Sequence, residues 1–282
     1  MTSLAVAAVK GGTGKSTVAL SLAVELSKFK PVLILDGDQH VRTTELKMIE
    51  VGRGEPRLKE VLEGEADWRE AVYACCLQRG GEYLFPNLHV LPAGDAFLPD
   101  LELGFDVEIF RERVEKLEEI LRELEKRNSY LIIDTPASFS REHLVLLSAA
   151  DAIIPVLNPD DDTYLSTRKK LSELQSLMGE FQILGCVLNK VPSDFDEQYW
   201  IRRAEREIGK VLGVVHFDDL LVRAFSENLP IQVRFPDSRA SQELASIASK
   251  VRALKVSRRR MRIMERIDLA LSKLQRIMEG KS

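Results

Sequence analysis

Seven short apolar runs punctuate the chain: "SLAVAAV" (3–9), "PVLILD" (31–36), "NLHVLPAG" (87–94), "YLIIDTP" (130–136), "AIIPVLN" (152–158), "FQILGCVLN" (181–189) and "VLGVVHF" (211–217). Each is close to continuous in apolar residues rather than alternating, as expected of strands covered on both faces of a parallel sheet. Between them, apolar residues recur every three or four positions at 15–29, 106–128, 162–178 and 195–209, which predicts helices with one buried face. Strand and helix in alternation predict an α/β fold: a mostly parallel, doubly wound sheet flanked by helices.

Two segments break the alternation. Residues 50–86 hold two short helical patterns and then "CCLQRGGEYLFPN", where Gly80, Gly81 and Pro86 predict a loop. At the other end, Ile263, Met264, Ile267, Leu271, Leu274, Ile277 and Met278 are spaced by threes and fours among arginines and lysines. This predicts a basic amphipathic helix over 258–282. The chain then divides into a main domain, 1–250, and a helical extension, 251–282.

Composition narrows the class. At 45% hydrophobic and 30% charged residues, the chain reads as a globular protein and not a disordered one. The opening apolar run is seven residues long, too short for a span of about 20 and without the basic lead of a signal peptide. Three cysteines without a CxxC make no disulfide framework or obvious metal site, which points to a reducing, cytoplasmic setting. Cys75 and Cys76 are adjacent, a spacing unsuited to chelating one metal. The net charge of −4 is split: Lys250–Ser282 carries eleven basic and three acidic residues, a net +8 against −12 for the rest. A basic tail on an acidic body predicts either an anionic partner or docking of the tail on its own body.

The chemistry concentrates in "KGGTGKST" (10–17), which leaves the first strand and enters the first helix. Gly11, Gly12 and Gly14 allow a close backbone approach to phosphate oxygens, and the helix start offers N–H groups at the positive end of its dipole. Lys15 is placed to reach β- and γ-phosphates and the Ser16 hydroxyl to hold Mg²⁺. The usual phosphate-loop pattern wants Gly at position 9; this chain has Val9, followed by an additional lysine, Lys10. Asp36 and Asp38 follow the second apolar run and Asp134 ends the fourth, where strand ends face the ligand crevice of an open α/β sheet. Asp134 has the position of a metal-holding carboxylate, and Asp38 that of a group orienting the attacking water.

In this order, "KGGTGKST", "DGDQ", "LPAG", "DTPAS" and "LNK" resemble the ParA/MinD family of deviant P-loop ATPases, over about Ser3 to Ile247. The resemblance implies ATP and Mg²⁺ as cofactors and an ATP-dependent homodimer in which Lys10 crosses to the phosphates of the partner's nucleotide. It implies catalytic roles for Lys10, Lys15 and Asp38, and nucleotide contacts from Lys10, Gly11, Gly12, Thr13, Gly14, Lys15, Ser16 and Thr17. Mg²⁺ would be held by Ser16, Asp38 and Asp134, and adenine read by Asn189 with Lys190 beside it. The chain departs from the family at Val9, at His216 where Pro is usual, and in the first switch, which lacks a Pro. The implied function is slow, partner-stimulated ATP hydrolysis in a positioning or partitioning switch. A protein activator is implied; nonspecific DNA and, less favoured, a membrane surface are further partners. "DTPAS" leans towards DNA partitioning and the basic tail towards MinD. For the tail, contact with another helix or its own body ranks first, DNA second and membrane third. The alternative is a metal-cofactor or Fe–S maturation ATPase of the same fold, whose relatives usually carry a CxxC; a third is a scaffold that binds ATP without turnover.

Overall fold

The computed structural model describes residues 1–37, 48–52, 54–94, 96, 107–136, 141–258 and 261–278. All seven apolar runs become strands of one nine-stranded sheet. In chain order these are β1 (Thr2–Ala7), β2 (Val32–Asp36), β3 (Tyr73–Ala74), β6 (Leu88–Pro92), β7 (Tyr130–Asp134), β8 (Ala152–Leu157), β9 (Gln182–Ile183), β10 (Cys186–Val191) and β11 (Val211–His216). A separate hairpin supplies β4 (Gln78–Arg79) and β5 (Glu82–Tyr83). The spatial order is β11-β10-β8-β1-β7-β2-β6-β3, with β9 beside β8. Neighbours run parallel except β3, which is antiparallel to β6. Thus β1 is central, and the loop that leaves it emerges mid-sheet between the ends of β7 and β8.

Ten helices are described: α1 (Lys15–Ser27), α2 (Leu58–Glu63), α3 (Val107–Glu125), α4 (Arg141–Ala149), α5 (Asp161–Met178), α6 (Glu197–Glu207), α7 (Asp219–Ser226), α8 (Ile231–Arg234), α9 (Arg239–Ala253) and α10 (Ile263–Met278). One face of the sheet packs on α1 and α9, where Val18, Leu22 and Leu26 meet Leu244, Ile247 and Val251. Because α9 covers α1 in turn, α1 is buried almost all round, which is why its apolar residues form no single stripe. The other face packs on α3, α4, α5 and α10. A third cluster, around Tyr164 and Trp200, seats α5 and α6 on β10.

Two local expectations are corrected. Of the two helical patterns in 50–86 only α2 forms; the second passes through turns into β3. Within "CCLQRGGEYLFPN", Gly80 and Gly81 have φ of 61° and 85° and close the β4–β5 hairpin. Two successive left-handed residues suit the tight turn whose twist matches paired strands, and glycine adopts them without a Cβ clash.

In the tail, α10 lies against α3, α4 and α5 rather than projecting outward. Ile263, Ile267 and Ala270 are buried in the same cluster as Leu117, Leu121, Leu146 and Leu174. Arg266 is 3% exposed and donates from Nη1 to the carbonyls of Ser148 (3.3 Å) and Ala150 (3.1 Å) at the end of α4. The rim is tied by Arg111 to Asp268 at 2.6 Å and by Arg258 to Glu125 at 3.0 Å. Placing a carboxylate in this apolar seam is costly. Ile267→Asp is therefore expected to destabilise the fold by about 3 kcal/mol, a fall in Tm of roughly 6–10 °C. A melting curve matching the unsubstituted protein would show that α10 does not bear on the core in solution.

Candidate functional site

The C-terminal ends of β1, β2, β7, β8, β10 and β11 open on the same edge of the sheet, as their parallel registers require. The loop from Lys10 to Gly14 leaves β1 there and enters α1 at Lys15. Gly12 (φ 73°) and Gly14 (φ 92°) take left-handed backbone. At Gly14 both conformation and space demand glycine, since a Cβ would lie 2.1 Å from the Asn189 side-chain nitrogen. Thr13 is 1% exposed and its hydroxyl donates to the Lys10 carbonyl at 3.3 Å.

The two lysines occupy different settings. Lys15 is 5% exposed in the first turn of α1, where the helix dipole is positive. Lys10 stands at the rim, its side chain 41% exposed, between Asp160 (3.7 Å) and Asp162 of the same chain. The hydrogen bond to Asp162, with the nearby Asp160 charge, holds the Lys10 ammonium above its usual pKa. Asp160 also caps α5, its carboxylate accepting from the Thr163 N–H and hydroxyl, both at 2.7 Å. Asp161 pairs with Arg203, whose guanidinium also lies over the Tyr164 and Trp200 rings. Negative charge at a helix N-terminus is favourable, so "DDD" at 160–162 both starts α5 and receives Lys10.

Asp134 is fully buried at the end of β7, in register with Asp36 on β2 and Val6 on β1. Thr135 follows and fastens its hydroxyl to the Val6 carbonyl at 2.9 Å. Asp134 is thus fixed three positions short of Val9, beside the root of the loop. With Ser16 in the first turn of α1, this makes a hydroxyl-and-carboxylate donor set, the hard oxygen chemistry that suits Mg²⁺. Asp38 lies outside the described residues.

Across the loop, Asn189 and Lys190 come from β10. The Asn189 amide donates to the Thr13 carbonyl at 2.7 Å, and Lys190 Nζ donates to the Gly12 carbonyl at 2.6 Å. The structure therefore gathers Lys10 through Thr17, Asp134, Asn189 and Lys190 at one edge. His216, at the end of β11, is braced by two carboxylates that the sequence did not single out. Its ring nitrogens lie 2.9 Å from Glu197 and 2.7 Å from Glu243, and its backbone N–H donates to Glu243 at 2.8 Å. Asp160 and Asp162 were likewise missed, though an acidic run at a helix start was their signal.

Cys75 and Cys76 lie away from this edge, next to the β3–β6 pairing, with Cys75 buried. Burial pushes the Cys75 thiol up to about 11 and raises that of Cys76 as well. Both are thiols at neutral pH, without the thiolate character of a nucleophile. No helix among the described residues is long and apolar enough to cross a membrane.

Comparison with known proteins agrees with this geometry. The AAA domain family designated AAA_31 matches residues 1–165. An uncharacterised ATP-binding protein of Methanocaldococcus jannaschii is 34% identical over 88% of this chain and 86% of its own length. A virulence-plasmid ParA family protein of Chlamydia psittaci is 24% identical over 89% of this chain and 94% of its own. The crystal structure of the Pyrococcus furiosus cell division ATPase MinD superposes with a TM-score of 0.71 at 24% identity, covering 90% of this chain and 99% of that one. The two-lysine phosphate loop, the parallel sheet that presents it and these matches together show that the chain belongs to the ParA/MinD family of P-loop ATPases.

Proposed function

We propose that this protein is an ATP-driven dimerisation switch that positions or partitions a cellular cargo. The observation that carries this reading is the separation of its two loop lysines: Lys15 buried at the head of α1, Lys10 exposed at the rim. One ammonium serves its own nucleotide, and the other is placed to serve a second chain. Lys15 and the loop N–H groups hold the phosphates, Ser16 and Asp134 hold Mg²⁺, and Asp38 orients the attacking water. Bound Mg²⁺ neutralises phosphate charge as hydrolysis proceeds. In the proposed cycle, ATP joins two chains through the Lys10 edge, and hydrolysis, stimulated by a partner protein, separates them. The membrane is disfavoured as the tail's partner, because the apolar residues Ile263 and Ile267 are already spent on the chain's own core.

Light scattering with ATP, ADP and no nucleotide tests the switch, with phosphate release followed in parallel. The protein is expected to be monomeric without ATP and dimeric with it. Asp38→Ala is expected to accumulate the ATP dimer, since loss of the water-orienting carboxylate slows turnover more than it weakens binding. An unchanged hydrolysis rate in Asp38→Ala would remove that role, and a mass independent of nucleotide would overturn the switch.

A further inference from the structure

The end of β10 makes two hydrogen bonds that a regular strand does not bring to one loop. Consecutive side chains on a strand point to opposite faces. Yet Asn189 and Lys190, which are adjacent, reach the Thr13 and Gly12 carbonyls, which are also adjacent. The backbone explains how. The β10–β11 pairing shifts register between Asn189 and Val191, and Lys190 has a φ of 57°. A left-handed non-glycine residue is uncommon and costs energy; a bulge at a strand end is a recognised way to re-aim a side chain. Here the bulge lets both residues address the phosphate loop.

The peptide plane supplies the consequence. In a planar trans peptide the C=O of one residue and the N–H of the next point in opposite directions. Holding the Gly12 carbonyl towards Lys190 turns the Thr13 N–H the other way. Holding the Thr13 carbonyl towards Asn189 does the same for the Gly14 N–H. The two side chains thus fix the direction of two successive donors in the loop that is to hold phosphate. Glycine at 12 and 14 gives the loop the freedom to adopt this shape; it also leaves the loop free to lose it. We infer that Asn189 and Lys190 are positioning residues for phosphate: they grip the back of the loop from β10 and pre-set its N–H groups, so that Lys190 bears on the phosphate end of the nucleotide and not on its base. The inference deepens the phosphate-loop reading and rests on it.

Lys190→Gly separates this role from a backbone one. Glycine accepts φ of 57° without strain, so it keeps the bulge and deletes only the side chain. Lys190→Met removes the ammonium and keeps the stem, and Lys190→Arg keeps a cation able to donate. The readout is equilibrium binding of Mg-tripolyphosphate, which has no base, beside Mg-ATP. A lost charged hydrogen bond predicts about a tenfold weaker affinity for both ligands in Lys190→Gly and Lys190→Met alike, with Lys190→Arg largely restored. Melting curves confirm that the variants fold. Lys190→Gly at wild-type affinity for both ligands would overturn the inference, and so would weakening confined to ATP, which would return Lys190 to the base. If the unsubstituted protein binds neither ligand, the phosphate-loop reading itself fails.

Discussion

Lys15→Ala is expected to lower the affinity for Mg-ATP by at least 100-fold and to abolish the stabilisation that the nucleotide gives the fold. Lys15 is an ammonium nine-tenths buried at the positive end of α1. Hydrogen bonds from an ammonium to phosphate oxygens are charge-assisted, and in a loop this dry they are the ones whose loss costs most. Calorimetric titration reads the affinity. Thermal melting reads the other half: the ATP-induced rise in Tm should vanish, since stabilisation by a ligand follows its occupancy of the folded state. A Lys15→Ala protein that still melts later with Mg-ATP would show that this lysine is not in the phosphate cradle.

Lys10→Ala should separate binding from association. Mg-ATP affinity is expected to stay within a few-fold of the original, and the ATP-dependent dimer to be lost. Among the described residues the Lys10 ammonium pairs at the rim with Asp160 and Asp162, whose side chains are 46% and 73% exposed. Exposed pairs of this kind add little to stability, so the monomer should fold and melt normally. To act on a second chain, Lys10 must exchange these carboxylates for phosphate oxygens. Without the ammonium, the repulsion between the triphosphate edge of one chain and the acidic start of α5 loses the cation that Lys10 placed between them. Sedimentation velocity with ATP decides the matter: a dimer of normal strength in Lys10→Ala would leave Lys10 a surface charge.

The sheet was legible in the sequence because its strands are buried on both faces, which writes them as unbroken apolar runs. The two-lysine loop was legible because its parts are consecutive. What escaped did so for separate physical reasons. Strands β4 and β5 are two residues each, too short to show alternation, so only the Gly80–Gly81 pair marked the hairpin. The bulge at Lys190 is invisible because "CVLNKV" continues the strand pattern straight through it. The seats of Lys10 on Asp160 and of His216 on Glu243 join residues far apart in sequence, and no period records such meetings. The basic tail gave its apolar stripe and a first-ranked expectation of helix or own-body contact, but not which face it covers, which depended on how much of the α3–α5 face the rest of the chain left open.

The grip of Arg266 on the end of α4 also sets a timetable for folding. Arg266 and the Ser148 carbonyl it holds are separated by 118 residues. At synthesis rates of about 5–20 residues per second, that interval is roughly 6–24 s. For that time the seam awaiting Ile263 and Ile267 is open, although β1, β2, β6, β7 and the phosphate loop have already been made and β8 to β11 are added in turn. A nascent chain in this interval can assemble its nucleotide edge before its far side is closed. Any nucleotide that the loop binds in this interval would favour the folded state by its occupancy, before the α10 seam contributes.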